Sequence, residues 1–392
     1  MRLTPKNELD ARIAKLQQLM TAAGMDGIVI VQNADLFYFT GTVQQSHLYV
    51  PAAGKPVLMV RKSLDRARNE SALEEIIPLA NVKEIPGILE TYGYRNLSVL
   101  GFEMDVLTAA LFTRYQKIFA PAKLADASTL IRKVKMVKSD YELGLLRGAA
   151  NISQTVFSKV KDYLREGIAE FELAGNLELV ARLMGHQGLI RTRGFNQEIA
   201  FHVMAGPSLA VPNYMDTPIG GPGLNPSFPQ GAGARKIQSN EPVMLDYGGV
   251  YDGYITDQTR TFCMGRLPEK MTRAYDTALE ILQTLRQKAV PGASCADLYD
   301  RAVEMAGQAG LGEYFMGYPK GVPFVGHGVG IELDEWPVVA KGFDIALEEG
   351  MVLAIEPKFI FPEGAVGIEN TFVVRTNGLE TITEFEEGII YV

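Results

Sequence analysis

Two acidic residues lie inside one strand-rich segment of the chain, a setting in which carboxylates are unusual. The segment VMLDYGGVYDGYITDQTRTF spans residues 243–262 and carries the hairpin turn signal Asp252-Gly253 near its centre. With that pair as a two-residue loop, Asp246 and Asp257 fall on the same face as diagonal neighbours, with Cα atoms roughly 7–8 Å apart. Asp is disfavoured in strands and rarely buried unless paired, so this spacing predicts a site at which carboxylates converge.

A second acidic pair repeats the same offset near the C-terminus. The segment MVLAIEPKFIFPEGAVGIENTFVV is interpreted as two strands joined at Glu363-Gly364. In this register Glu356 faces Thr371, and Glu369 is its diagonal neighbour. Either acidic pair alone could lie on a solvent-facing strand edge. Four carboxylates directed at one point, however, would repel one another strongly unless cations are bound between them.

A histidine in a glycine-rich segment lies between the two hairpins. His327 occurs in FVGHGVGIELDEWP, where the flanking glycines permit tight backbone geometry and close approach to a site. One imidazole and four carboxylates form a mostly hard donor set, which suits Mn, Fe(II), Co or Zn. Two such ions about 3.5–4 Å apart would share bridging carboxylates and activate a common water molecule.

In order and spacing, these residues resemble the creatinase–prolidase–methionine aminopeptidase family, the pita-bread metallopeptidases. The family pattern has two Asp residues eleven positions apart, the second before a T-R-T-F-like strand, then G-H-G, E-P and a C-terminal I-E. The similarity covers essentially the whole chain. It implies two divalent metal ions (Mn, Co, Fe or Zn) and five metal ligands, which are Asp246, Asp257, His327, Glu356 and Glu369.

The resemblance also implies an architecture and an assembly. Residues 1–131 resemble the creatinase-type N-terminal domain, which is an α/β domain. Residues 132–392 resemble the catalytic domain, an α+β pita-bread fold with a curved, antiparallel-rich sheet flanked by helices. The segment IRKVKMVKSDYELGLLRGAA is similar to the usual junction between the two. A homodimer is expected.

The elements that must position the site are partly visible in the sequence. Short apolar runs at 27–31, 56–60 and 97–101 alternate with helical stretches, which favours an α/β domain for the first part of the chain. A capping box at 139–142 predicts the start of a helix. The Gly/Pro-rich segment 215–237 is either a substrate lid or a surface insertion.

Three positions of the family pattern carry different residues in this chain. Asn213 replaces the His of a G-x-x-x-x-x-P-H segment, Asp334 replaces a second His, and Gly367 replaces an Arg that anchors the substrate carboxylate. The catalytic residues are therefore expected to be Glu356 as general base, with Asn213 and Asp334 in place of the two imidazoles. Asn213 can still donate a hydrogen bond but cannot shuttle protons. His202 either substitutes for the missing imidazole or packs in a strand core.

Three functions are compatible with these residues. The first, which we favour, is metal-dependent hydrolysis of a peptide or small amide bond, as in an Xaa-Pro dipeptidase or Xaa-Pro aminopeptidase. The alternative is a non-peptidase enzyme on the same scaffold, such as a creatinase-like C–N hydrolase or a lyase. A non-catalytic binding protein is less favoured, because all five metal ligands are present.

The overall composition argues against several other classes of protein. The 392 residues carry a net charge of −8, so no nucleic-acid partner is expected. No apolar run approaches the ~20 residues that span a bilayer. With no signal peptide visible, we expect a cytoplasmic protein without a membrane partner. The basic residues among 132–138 are expected to form a solvated connector.

Overall fold

The structure is a computed structural model that describes residues 2–392. It divides the chain into two compact units. The first unit runs to Lys135 and includes Arg193–Asn196, and the second comprises Met136–Thr192 and Gln197–Val392. The domain boundary after residue 131 stays a prediction.

The first unit is built on a mixed sheet with the strand order β4-β3-β2-β1-β5-β6. The pairs β1/β5, β3/β4 and β5/β6 are parallel, whereas β1/β2 and β2/β3 are antiparallel. Every residue of β1 is buried, as expected for an apolar central strand. The helices and strands are α1 Lys6–Ala22, β1 Gly27–Ile30, α2 Asn33–Thr40, β2 Ser46–Pro51, β3 Val57–Val60, α3 Leu64–Glu70, β4 Ile76–Pro78, α4 Ile85–Thr91, β5 Val99–Phe102, α5 Ala109–Ile118, β6 Lys123–Asp126 and α6 Ser128–Met136.

The basic segment around residue 135 is not a solvated connector. Helix α6 continues to Met136, and Lys135 is buried with its Nζ 3.3 Å from Asp35 Oδ1. Lys138 is also buried, and its Nζ donates to Glu335 Oε2 at 2.9 Å. The expectation was wrong for these two lysines because their partners lie far away in sequence.

A buried histidine in the first unit makes stability depend on pH. His47 Nε2 lies 2.7 Å from the Tyr115 hydroxyl, and burial, with Arg61 and Arg114 nearby, lowers the pKa of His47 from 6.5 to about 4. The unfolded chain therefore takes up a proton near pH 6.5, whereas the folded chain does so only near pH 4. The contribution of His47 to stability is full above pH 6.5 and is lost as the pH falls towards 4.

We therefore expect the variant His47→Phe, which keeps an aromatic ring but does not titrate, to lose less stability in acid. Between pH 7.5 and 4.5 the difference in unfolding free energy between variant and wild type should move in the variant's favour by about 2–3 kcal/mol. Urea unfolding of both proteins at the two pH values measures this difference. An identical pH dependence in the two proteins would contradict the assignment.

The second unit holds the remaining helices and strands. Helix α7 begins with the predicted capping box, in which the Ser139 hydroxyl accepts from Glu142 N and the Glu142 side chain accepts from Ser139 N. The elements are α7 Asp140–Ser158, α8 Val160–Tyr163, α9 Glu170–Leu183, β7 His202–Ala205, β8 Val243–Asp246, β9 Gly249–Tyr251, β10 Tyr254–Thr256, β11 Thr259–Cys263, α10 Glu269–Lys288, α11 Cys295–Gln308, β12 Phe324–Gly328, β13 Glu335–Ala340, β14 Val352–Ile355, β15 Lys358–Phe361, β16 Gly364–Gly367, β17 Asn370–Arg375, β18 Gly378–Thr381 and β19 Ile390–Tyr391.

Two sheets of this unit carry the acidic segments. One has the order β19-β11-β8-β7 and the other the order β13-β12-β14-β17-β18, and within the second every pair of neighbouring strands is antiparallel. The two-stranded ribbons β9/β10 and β15/β16 extend the two acidic hairpins. The predicted α+β character of this part of the chain is thereby observed.

The first acidic hairpin has the predicted register. Asp252 and Gly253 have φ values of +46° and +85°, as a two-residue turn of type I′ requires. Thr259 consequently pairs with Asp246.

The second hairpin is shifted by two residues from its predicted register. Phe361 pairs with Gly364, and Thr371 pairs with Ala354 rather than with Glu356. The loop is therefore Pro362 and Glu363, and the proline suits the first loop position because its ring fixes φ.

Over residues 2–392, the structure has no helix that is both long and apolar enough to cross a membrane. Cys263 and Cys295 are free and buried.

Candidate metal centre

Asp246 lies at the end of β8, and Asp257 lies between β10 and β11. Asp246 is the last residue of β8, where it pairs with Thr259 on one side and with His202 on the other. Asp257 follows β10, and its backbone is held by Thr371, whose hydroxyl accepts from Asp257 N at 2.9 Å and donates to Asp257 O at 2.8 Å. The hairpin therefore brings the two carboxylates to the same region.

The glycines beside His327 are required by close approach of neighbouring strands. A Cβ at Gly326 would collide with the carbonyl oxygen of Ala354, and one at Gly328 with that of Trp336. His327 Nδ1 lies 3.1 Å from the carbonyl oxygens of Gly328 and Leu333. Since a carbonyl can only accept, Nδ1 carries the proton in the neutral ring, and Nε2 presents its lone pair.

The lone-pair nitrogen of His327 faces three carboxylates at nearly equal distances. Nε2 lies 3.9 Å from Asp257 Oδ2, 3.8 Å from Glu356 Oε1 and 3.9 Å from Glu369 Oε1. Glu369 Oε1 is buried and has no hydrogen-bond partner within residues 2–392, whereas Glu369 Oε2 accepts from the Thr259 hydroxyl at 2.8 Å. An orphaned buried oxygen beside the imidazole nitrogen that carries no proton in the neutral ring indicates a cation position.

These atoms fit one divalent ion. Ligand atoms of Asp257, His327 and Glu369 all lie within 4.8 Å of one another. Bonds of about 2.1 Å in tetrahedral geometry place ligand atoms roughly 3.4 Å apart, so small side-chain movements bring the three residues to bonding distance. The mixed imidazole–carboxylate donor set suits the same metals that the sequence predicted.

A lysine that sequence reasoning missed lies among the same carboxylates. Lys358 is fully buried, and its Nζ donates to Asp246 Oδ2 at 3.0 Å, to Glu356 Oε2 at 2.6 Å and to Glu369 Oε2 at 3.0 Å. All three ammonium protons are thereby used. The sequence does contain a signal for it. Lys358 opens an apolar run and stands two positions after Glu356, and in extended backbone residues two apart face the same side.

The charges of the centre are unevenly compensated. Burial raises the pKa of the Asp257 carboxyl well above its usual range, and Glu369 and Asp246 add to the effect. Burial also raises the pKa of Glu369, to about 7, although Lys358 opposes it. For Asp246, burial is outweighed by Lys358 and His202, so its pKa falls below the ordinary value. A negative charge at Asp257 is therefore less well compensated by the protein than one at Asp246.

A cavity opens onto this centre. Its lining includes Asp246, Asp257, His327, Glu356 and Glu369, all five predicted ligands. Apolar residues cover other parts of its wall, among them Ile190, Phe201, Phe324 and Leu333.

Two further polar residues with a proposed role also line this cavity. His202 is buried on β7, and its Nε2 has no hydrogen-bond partner in the described part of the chain. Asp334 lies on the other side of the imidazole, with Oδ1 3.8 Å from His327 Nδ1 and about two-fifths of its side chain exposed. His202 thus lies in a buried strand and also in the cavity wall, so its role stays a prediction.

Asn213 lies apart from the other predicted catalytic residues. It lines a neighbouring cavity, and its Oδ1 accepts from Met215 N at 2.8 Å. The two cavities share the wall formed by 215–218, the first residues of the Gly/Pro-rich segment. A catalytic role for Asn213 stays a prediction.

The comparisons with known proteins agree over nearly the whole chain. Residues 144–376 match metallopeptidase family M24, and residues 12–137 match the creatinase/prolidase N-terminal domain. An Xaa-Pro dipeptidase of Pyrococcus furiosus is 26% identical over 382 residues, which is 97% of this chain and 99% of that protein. An Xaa-Pro dipeptidase of Lactobacillus helveticus is 26% identical over 386 residues, covering 96% of this chain and 97% of that protein.

Solved structures show the same fold. An Xaa-Pro dipeptidase from Bacillus anthracis superposes with a TM-score of 0.84 at 24% identity, covering 98% of this chain and 100% of that one. The prolidase from Pyrococcus horikoshii superposes with a TM-score of 0.81 at 24% identity, covering 97% and 100%. The predicted α/β N-terminal domain and pita-bread catalytic domain are confirmed. Because the family match spans more than half of its residues, the chain belongs to metallopeptidase family M24.

Proposed function

We propose that this chain is a metal-dependent hydrolase that cleaves the bond between an N-terminal residue and proline. The observation that carries the proposal is the group formed by Asp257, His327 and Glu369 on the wall of a cavity. The Xaa-Pro dipeptidases of two organisms, which align with the chain over nearly its full length, support the choice of substrate. That the five residues named from the sequence bind metal is likewise part of this proposal.

The residues of the centre have distinct roles in this proposal. Asp257, His327 and Glu369 would hold the metal, and Glu356 Oε1 would be a further oxygen near His327. A bound divalent ion of this kind lowers the pKa of its water and polarises the scissile carbonyl. Glu356 accepts the proton from the attacking water as general base. His202 Nε2, buried in the same cavity wall, is placed to hydrogen-bond the substrate.

The charge of the cavity wall indicates which end of a peptide it accepts. Asp216 and Asp334 line it in addition to the predicted ligands, and among the described residues its lining includes no Lys or Arg. A substrate carboxylate would find no cationic partner there, whereas a free α-amino group would be attracted. Peptides with residues beyond the proline are therefore expected to be better substrates than dipeptides.

The decisive experiment is hydrolysis of a peptide panel by the purified full-length chain. We expect Xaa-Pro-Xaa peptides to be cleaved before proline, Xaa-Pro dipeptides to be cleaved more slowly, and peptides with Ala in place of Pro to resist. Chelation should abolish cleavage, and adding Mn²⁺, Co²⁺ or Zn²⁺ should restore it. Full activity after exhaustive chelation, or no cleavage of any Xaa-Pro peptide with metal present, would contradict the proposal.

Manganese as the metal, a homodimer and a cytoplasmic location also belong to this proposal, and they rest on the family resemblance. Light scattering on the purified chain tests the dimer, because a monomer mass at micromolar concentration would exclude it.

A further inference from the structure

The buried ammonium group of Lys358 lies among three carboxylates. Without it, a metal ion would be needed there to offset their repulsion. Its Nζ contacts oxygens of three different carboxylates at 2.6–3.0 Å, which are those of Asp246, Glu356 and Glu369. The side chain is fully buried, so these contacts are not exchanged for water. The carboxylates are thus arranged around a cation that belongs to the chain itself.

The backbone opposite Lys358 leaves room for its aliphatic stem. Lys358 pairs with Gly367 across the β15/β16 ribbon. A Cβ on Gly367 would lie 2.7 Å from both Cα and Cγ of Lys358 and 2.7 Å from the carbonyl oxygen of Pro357. The glycine therefore allows the lysine to cross the ribbon towards the carboxylates. A larger residue at position 367 would collide with the lysine side chain.

Two of the glutamates divide their oxygens between Lys358 and the imidazole. Glu356 presents Oε2 to Lys358 and Oε1 to His327 Nε2, and Glu369 does the same with its own two oxygens. In a dinuclear centre, bridging carboxylates divide their oxygens between two metal ions in this way. Here one side of each bridge ends at an ammonium group and the other side ends at the position beside His327.

The charges of the centre also favour one divalent ion beside Lys358 over two. The carboxylates of Asp246, Asp257, Glu356 and Glu369 carry four negative charges when ionised, and two divalent ions would neutralise all four. Lys358 supplies one positive charge, which leaves three. One divalent ion beside His327 compensates most of the remainder, whereas a second would bring two metal ions and an ammonium group together among the same oxygens.

We propose that Lys358 permanently replaces one of the two metal ions expected for this fold, so that the centre binds a single divalent ion at Asp257, His327 and Glu369. The inference rests on the proposed metal centre but not on any particular substrate. It revises the expected pair of ions to one. Lys358 is in this sense a positioning residue, since it fixes the outer oxygens of the two bridging glutamates.

The test is the metal stoichiometry of the purified full-length chain, measured without reference to activity. After chelation and reloading with Mn²⁺, elemental analysis and calorimetric titration should give one ion per chain for the wild type. The electron paramagnetic resonance spectrum should be that of an isolated Mn²⁺ ion. The variant Lys358→Ala removes the ammonium and leaves space, so it should bind two ions whose spectrum shows exchange coupling through shared carboxylates.

A buried lysine elsewhere in the same unit provides the matched control. Lys138 is also buried in an ion pair, with Glu335, so Lys138→Ala removes a similar side chain that donates to none of the four carboxylates of the centre. It should bind one ion, like the wild type. Two ions in the wild type, or none at millimolar Mn²⁺, would overturn the proposal whether or not Lys358→Ala folds. One ion in a folded Lys358→Ala would also overturn it.

These outcomes are separate from those of the peptide panel. A chain that binds one ion but cleaves no Xaa-Pro peptide would refute the proposed function and leave the role of Lys358 intact. A chain that cleaves Xaa-Pro peptides with two bound ions would do the reverse.

Discussion

Replacing Glu356 with Gln should lower kcat for Xaa-Pro cleavage by about 10²–10⁴-fold. The substitution keeps the size of the side chain and an oxygen that can accept from Lys358, whose Nζ lies 2.6 Å from Glu356 Oε2. It removes the ability to take a proton from water, and loss of a general base typically has an effect of this size. The measurement is the initial rate on the best peptide of the panel, with saturating Mn²⁺.

The control for this variant is a glutamate in the same segment that lies outside the centre. Glu363 is exposed in the loop between β15 and β16, and its nearest charged partner is Lys270, with Nζ 3.6 Å from Oε1. Glu363→Gln should keep the wild-type kcat. Metal analysis of Glu356→Gln separates loss of the base from loss of the ion. A metal-loaded Glu356→Gln with unchanged kcat would show that another group is the base.

The part of the site that the sequence predicted correctly is the first acidic hairpin, because its turn residues determine how its two strands pair. Asp252-Gly253 allows a tight turn with positive φ at both positions, and this turn places Asp246 and Asp257 on one face. In the second hairpin, the predicted turn was Glu363-Gly364, a pair with a weaker turn preference than Asp-Gly. The preceding Pro362 decided against it, because a ring-fixed φ favours the first loop position.

Lys358 could not be interpreted correctly from composition, although its position was informative. A lysine in a strand normally extends its flexible stem to water, so a buried ammonium is the exception. One of the carboxylates that pair with the buried ammonium belongs to Asp246, which lies 112 residues earlier in the chain. The same contact changes the interpretation of Gly367. Its lack of a side chain, first understood as loss of a carboxylate anchor, is required by the close approach of Lys358.

The position of Asn213 could not be predicted from the sequence, because this residue lies outside the helices and strands. The family pattern aligned it with a catalytic histidine, but no periodicity constrains the chain between 211 and 235. Its position depends instead on the packing of that segment, which places Asn213 in the wall of a neighbouring cavity. Restoring histidine at this position alone is therefore not expected to supply an imidazole to the cavity at the proposed metal centre.

A buried arginine next to the centre should have the largest effect on stability. Arg260 is fully buried on β11 and donates to the carbonyl oxygens of Thr259 and Glu369, both at 2.8 Å. It also donates to Asn370 Oδ1 at 2.8 Å and to the carbonyl oxygen of Glu386 at 2.7 Å. Burial lowers the pKa of Arg260 to about 10, so the guanidinium remains charged at neutral pH.

The variant Arg260→Met should therefore lower the free energy of unfolding by about 3–5 kcal/mol. Methionine fills much of the volume but leaves several buried acceptors without their donor, each at a cost of about 1–3 kcal/mol before relaxation. Urea unfolding followed by the fluorescence of Trp336, the single tryptophan, reports on this unit. Affinity for Mn²⁺ should fall as well, because the bond to Glu369 O fixes the backbone of a proposed ligand.

An exposed arginine in the turn after β11 serves as the reference. Arg266→Met should change stability by no more than about 0.5 kcal/mol, since surface substitutions rarely do more. If Arg260→Met were no less stable than Arg266→Met, the carbonyl groups around Arg260 would have found other donors. The guanidinium would then not be what fixes Glu369 beside His327, and the rigidity of the centre would have to come from Thr259 and Lys358 alone.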